Sequence, residues 1–167
     1  MGVGKGDTVL VHAAAGGVGS LAVQIAVAWG ARVIGTASES KHDFLRSLGA
    51  EPVAYGDGLV ERVRALAPEG VDAALDFVGG DAIPASFELA TSPSRVVSIV
   101  DGGVKEHGGQ YVFVRPDAAD LTALGDLADE GKLTVHIDTE LPLSETAEAF
   151  RLSAEGRTRG KIVLLVP

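Results

Sequence analysis

Residues 8–30, TVLVHAAAGGVGSLAVQIAVAWG, read as a strand, a glycine turn and a helix in immediate succession. Thr8–His12 is a short β-branched, apolar run of the kind buried in a parallel sheet. Ser20–Trp29 is apolar almost all round, with Gln24 its one clearly polar residue, so it predicts a helix lying against that sheet. Between them, Ala14, Gly16 and Gly19 stand at the spacing G-x-G-x-x-G, with alanine in the first place. The first small residue permits a tight turn, the second lets backbone N–H groups approach a pyrophosphate, and the third lets helix and strand pack closely. The helix start near Gly17 and Val18 offers free N–H groups and the positive end of the helix dipole, which suit an anion. A strand before and a helix after are the context in which such a turn binds a dinucleotide. The alternative is a turn that only joins strand to helix.

The pattern then repeats. Ala31–Ala37 is a second strand, Glu39–Leu48 a helix closed by Gly49, and Pro52–Tyr55 a third strand. Asp57 is placed to cap a helix over Leu59–Leu66, which Pro68 stops. Val71–Val78 is a fourth strand, Asp81–Ala90 a helix with Pro84 in its first turn, and Arg95–Val100 a fifth strand. Strand and helix alternating in this way predict an α/β fold: a Rossmann, doubly wound, parallel six-stranded sheet with helices on both faces. Asp101–Gln110, glycine-rich and polar, reads as a mobile loop before a sixth strand, Tyr111–Val114. Pro116 begins a helix over Asp117–Glu130 that Gly131 ends. A strand over Leu133–Ile137, a helix over Leu143–Ala154 and a strand over Lys161–Val166 form a C-terminal helix-strand extension. The Rossmann unit is thus expected over 1–132 and the extension over 133–167.

Composition removes whole classes of function. The 167 residues are 46% apolar and 22% charged, as in an ordinary soluble domain, and carry a net charge of −9. That charge argues against nucleic acid or an anionic membrane as partner. There is no cysteine, hence no disulfide, thiolate metal site or cysteine nucleophile. No apolar run approaches the roughly 18 residues of a membrane span. Met1–Gly6 is too short for a signal peptide, so a cytoplasmic location is expected. His12, His42, His107 and His136 show no metal-ligand spacing, and no G-x-S-x-G elbow is present, so no metal site and no catalytic residue is assigned. His12 reads as a packed, hydrogen-bonded residue of the first strand.

Cofactor choice is read at the end of the second strand. Folds of this kind that prefer NAD place an Asp or Glu there for the ribose diol. Here that place holds Ala37-Ser38, with Lys41 close behind. A hydroxyl and a lysine without a strand-end carboxylate suit a 2′-phosphate, and Tyr55 adds a phenolic donor. The alternative is that Ser38 caps the next helix and Lys41 is solvated. Ligands of open α/β sheets sit at the carboxyl ends of the strands, which nominates Phe77–Gly79, Ile99–Asp101 and Phe113–Arg115. Phe77 suits the core as well as a cofactor wall, and Arg115 suits a surface.

TVLVHAAAGGVGSLAVQIA, VIGTAS-x-x-K, SLGAEPVAY, VDAALDFVGG, FVRPDAADL and RGKIVLLV together resemble the medium-chain dehydrogenase/reductases, in particular their zinc-independent, NADPH-dependent quinone oxidoreductases. The enoyl-reductase domains of polyketide synthases are close kin. The resemblance covers nearly the whole chain and implies NADP(H) as cofactor. It implies cofactor contacts at Ala14, Gly16, Gly17, Val18, Ser38, Lys41, Tyr55, Phe77, Val78, Ile99, Phe113 and Val114, with Lys161 nearby. It implies a quinone or enone as substrate, and a homodimer joined along the Tyr111–Val114 edge. Members of the family carry an N-terminal domain that makes most of the substrate pocket. Residues 133–167 would pack partly on that domain, and without it their strands are expected to lack partners or to pair with each other. This isolated chain is therefore expected to lack turnover. A second reading is a non-catalytic dinucleotide-binding module, a sensor or partner subunit.

Overall fold

The computed structural model describes residues 2–167, so Met1 of the 1–6 stretch lies outside the described residues. β1, Thr8–Val11, leads through the glycine turn to α1, Gly19–Ala28. β2, Arg32–Ala37, α2, His42–Ser47, and β3, Glu51–Ala54, follow, then α3, Leu59–Leu66, and β4, Ala73–Asp76. α4, Ala82–Leu89, β5, Val96–Ser98, and β6, Gln110–Tyr111, complete the sheet. Its order is β3-β2-β1-β4-β5-β6, and every pairing is parallel. That is the doubly wound order with its switch point between β1 and β4.

The alternation of side chains along β1 decides which helix lies where. Val9 and Val11 point into one buried cluster with Val23 of α1 and Leu45 of α2. Leu10 points the other way, into a cluster with Leu59 and Val63 of α3 and Leu89 of α4. Because both faces are covered, Val9, Leu10 and Val11 of β1 are all apolar and fully buried.

The structure moves several expected boundaries, each for a local reason. Asp57 does not cap α3. Gly58 stands at the cap with φ 76°, and the Arg62 guanidinium reaches back to the Asp57 carbonyl at 2.8 Å and the Ala54 carbonyl at 2.8 Å. The helix expected from Glu39 begins as a 3-10 turn, Glu39–Lys41, before α2. The 101–110 stretch is not an irregular mobile loop. It forms a 3-10 turn over Gly102–His107, started by the Asp101 carboxylate accepting from the Gly103 N–H at 2.8 Å and anchored by fully buried Val104. β6 is shorter than the expected Tyr111–Val114, because β5 ends at Ser98 and offers nothing further to pair with. Val112, Phe113 and Val114 run on exposed.

α5, Ala118–Asp129, is capped by the Asp117 carboxylate, and Leu127 alone of its residues is half-buried, the rest being exposed. The C-terminal strand lies later than Leu133–Ile137. β7 is Ile137–Pro142, α6 is Thr146–Ala154, and β8, Lys161–Leu165, pairs with β7 in parallel. The two C-terminal strands therefore partner each other.

Candidate functional site

The glycine turn is held from both ends. The Ala13 N–H donates to Thr36 Oγ1 at 3.2 Å and the Ala14 N–H to the Thr36 carbonyl at 3.0 Å, which ties the turn to the end of β2. Ala13 takes φ 51°, the one left-handed non-glycine residue among the described residues. Sequence reasoning gave the turn to the glycines, yet its left-handed residue is an alanine. What the third glycine supplies is proximity: a Cβ on Gly19 would lie 2.2 Å from the Ala13 carbonyl oxygen. α1 can approach β1 only because that atom is absent.

Among the described residues, the N–H groups of Gly17 and Val18 find no backbone acceptor. They open the positive end of α1 to an anion. Lys161 arrives at the same place from β8: a Cβ on Gly17 would lie 3.0 Å from both Cδ and Nζ of Lys161. Free amides, a helix terminus and an ammonium group therefore converge on one spot.

Beside the turn lies a cleft of about 960 Å³ at the carboxyl ends of the strands. Gly16, Ser38, Lys41, Tyr55 and Val78 line it, so the structure brings these sequence-derived residues together. Tyr55 is largely exposed and free to meet a ligand. Ser38 occupies the cap position of the 3-10 turn but makes no capping bond; its hydroxyl meets that of Ser40 at 3.1 Å. Lys41 Nζ donates to the Thr158 carbonyl at 3.2 Å. Burial lowers the Lys41 pKa, with Arg159 acting in the same direction and Asp138 against it.

The other candidates lie elsewhere. Ala14 is fully buried, its methyl group against Gly35, and bears on the site through its backbone. Phe77 packs on the cluster beneath α1 and α2. Ile99 follows β5 and is half-buried, its N–H donating to the Asp76 carbonyl at 3.3 Å. Phe113 and Val114 are about three-quarters exposed and do not line the cleft. Arg157 and Thr158 do line it and were missed by sequence reasoning. The signal was there: R-T-R-G-K puts three cations in five residues of a chain whose net charge is −9.

The strand ends behind Val78 and Gly79 of the cleft are polar and pinned. Asp76 and Ser98 are fully buried at the ends of β4 and β5. Asp76 Oδ1 accepts from the Val78 N–H at 3.1 Å and the Gly79 N–H at 2.8 Å, while Oδ2 accepts from the Ser98 hydroxyl at 2.7 Å. Ser98 Oγ in turn accepts from the N–H groups of Val100 and Asp101. His12, next to the turn, is 1% exposed, and its Nε2 has no partner. Burial pushes its pKa down to about 4 against the opposing charge of Asp76, so the ring is neutral at pH 7. Sequence reasoning expected a hydrogen-bonded histidine; the ring is packed as expected, but Nε2 is unsatisfied. Among the described residues no cluster of three metal-ligating side chains occurs, and no helix is long and apolar enough to cross a membrane.

A family model described as a zinc-binding dehydrogenase matches residues 48–164. Among solved structures, the quinone oxidoreductase from Coxiella burnetii is 36% identical with a TM-score of 0.84, over 99% of this chain and 54% of that one. The CurK enoyl reductase is 33% identical with a TM-score of 0.85, over 99% of this chain and 56% of that one. A mycobacterial protein solved in complex with NADPH is 28% identical with a TM-score of 0.82, over 98% and 58%. The chain therefore spans about half the length of these proteins. It spans far less of the polyketide synthases among its curated relatives. GfsB of Streptomyces halstedii is 37% identical over 179 residues, an alignment covering 97% of this chain and 3% of that one.

Proposed function

The chain belongs to the zinc-binding dehydrogenase family of medium-chain dehydrogenase/reductases, and we propose from this that it is the NADPH-binding half of an oxidoreductase that delivers hydride to a quinone or other conjugated carbonyl acceptor. The observation that carries the reading is the convergence at the glycine turn. A pyrophosphate is the anion suited to the free amides of Gly17 and Val18, the start of α1 and the Lys161 ammonium together.

The rest of the cofactor fits the cleft by chemistry. Ser38, Lys41 and Tyr55 supply donors where an NAD-preferring site would hold a carboxylate, and Arg157 adds a further cation at the same wall. Val78 offers an apolar wall beyond them. Ala14, Phe77, Ile99, Phe113 and Val114 remain part of the reading as backbone or nicotinamide-side contacts. A relative solved with NADPH supports the cofactor.

When bound, NADPH supplies the hydride. The residues of this chain would hold and orient its ends, and the buried Asp76–Ser98 pair fixes the ends of β4 and β5. No side chain here is assigned a proton-transfer role, and the reading needs no metal. Catalysis then rests on positioning the acceptor against the nicotinamide. The acceptor class follows from the shared chemistry of a quinone oxidoreductase and an enoyl reductase, in which hydride adds to a carbon conjugated with a carbonyl. Residues 133–167 present Val135, Ile137, Leu143, Leu165 and Val166 to solvent, an apolar surface suited to pack on the rest of such an enzyme. We take residues 1–132 as the Rossmann unit, to whose site the 133–167 segment adds Arg157 and Lys161. We place the protein in the cytoplasm.

NADPH fluorescence tests the site. The chain should enhance and shift the emission of NADPH, and Gly17→Asp should abolish the change, because its side chain meets Lys161 and sets a carboxylate against the pyrophosphate. An unchanged response in Gly17→Asp would place the cofactor elsewhere.

A further inference from the structure

We propose that Gln24 is a positioning residue for the pyrophosphate site: it clamps the segment before β7 onto α1 and so holds Lys161 over the glycine turn. Gln24 is the lone clearly polar residue of an otherwise apolar helix, and it is buried. Such an amide is costly to bury unless its groups are satisfied. Its Nε2 donates to the Ser20 carbonyl at 2.9 Å and to the Thr134 carbonyl at 3.0 Å. Its Oε1 accepts from the Thr134 N–H at 2.9 Å. The amide thus pairs both ways with the backbone of one residue, 110 positions along the chain.

That residue leads directly to the site. Two positions on, the His136 carbonyl accepts from the Lys161 N–H at 2.9 Å. On its other side, the Gly160 N–H donates to the Ala15 carbonyl of the glycine turn at 3.0 Å. The start of β8 is therefore threaded between the turn and the 134–136 segment. The fit is tight: a Cβ on Gly160 would lie 2.2 Å from the His136 carbonyl oxygen. Release of Thr134 frees one wall of that slot, and the Lys161 side chain loses its fixed approach to Gly17. Among the described residues the Gln24 side chain hydrogen-bonds to Ser20 and Thr134, so its effect on a ligand passes through Lys161.

The inference rests on the dinucleotide reading above, and a double-mutant cycle separates the two. Kd values for NADPH and NADH are measured by calorimetry for wild type, Gln24→Met, Lys161→Met and the double variant, with melting temperatures recorded alongside. Lys161→Met should weaken both dinucleotides by roughly tenfold or more, the loss of a charge-assisted bond. Gln24→Met should weaken them by about tenfold, and the double variant should bind within about twofold of Lys161→Met alone, because the two act as one unit. Adenosine 2′-phosphate, which has no pyrophosphate, should bind Gln24→Met as it binds wild type. Amide exchange at Thr134 should quicken in Gln24→Met and not in Lys161→Met. Gln24→Glu keeps the acceptor for the Thr134 N–H and should give an intermediate loss; it replaces Gln24→Met in the cycle if that variant does not fold. Wild-type affinity in Gln24→Met, additive losses in the cycle, or equal weakening of adenosine 2′-phosphate would each overturn the proposal. A wild type that binds neither dinucleotide overturns the functional reading and this inference together. One that binds NADH alone overturns only the cofactor choice, and the cycle is then decided with NADH.

Discussion

Lys41 sits where the proposed 2′-phosphate would lie, yet its ammonium already has a partner, the Thr158 carbonyl. Burial disfavours its charge, so an added phosphate should be felt strongly. Lys41→Ala is expected to weaken NADPH binding by about 1–3 kcal/mol while NADH changes little. Equal losses for both, read by parallel titrations, would show that the lysine only braces the 156–159 loop. His12 gives a prediction on stability. Its pKa is about 4 in the folded chain and 6.5 as the ordinary value, so the unfolded chain takes up the proton first as pH falls. Stability present above pH 6.5 should be lost as pH drops through 4, by up to about 3 kcal/mol. Urea unfolding of wild type and His12→Gln across that window should show the wild-type slope reduced in the variant; equal slopes would mean the ring is not the proton acceptor. These residues also mark what was legible in sequence. Ser38, Lys41 and Tyr55 could be found because strand ends follow from periodicity. The cations around Arg157 were visible as a cluster, but their place at the cleft and the Gln24–Thr134 pairing were not, because contacts across more than a hundred residues leave no local pattern.

The strand–turn–helix of β1 and α1 was readable almost to the residue, since apolar runs and a glycine spacing fix it from within. Elements whose ends depend on neighbours were not. β6 is cut short by the turn of β5 at Ser98, Asp57 yields its capping role to Gly58 and Arg62, and a single buried valine orders the 101–110 stretch. Two substitutions test the elements that shape the site. Gly19→Ala forces a methyl group against the Ala13 carbonyl, backbone that cannot step aside, and should cost about 1–3 kcal/mol or more while loosening α1 from β1. Ser98→Ala removes the hydroxyl that joins Asp76 to the N–H groups of Val100 and Asp101, and should cost about 1–3 kcal/mol. Denaturant midpoints measure both, and wild-type stability in either variant would mean that the turn or the strand ends relax without cost.

The molecule as a whole divides into a covered side and an open one. The sheet is buried on both faces, whereas β6 is an edge followed by exposed Val112, Phe113 and Val114, with Leu121 of α5 exposed nearby in sequence. An unguarded edge of this kind favours pairing with a second copy, so a homodimer is proposed, and light scattering at tens of micromolar should report twice the chain mass. A monomer would count against it. The cleft lining is taken up by the proposed cofactor contacts, and no residue among those described is assigned as a wall for an acceptor. Cofactor binding and hydride transfer should therefore separate in this chain: NADPH absorbance should decay with benzoquinone no faster than in buffer. Central to all of this is that the cleft reads a dinucleotide with a 2′-phosphate. Calorimetric titration of the wild-type chain with NADPH and with NADH tests that claim directly. NADPH should bind at least about tenfold more tightly, one charge-assisted bond's worth; equal affinity, a preference for NADH, or no binding of either would contradict it.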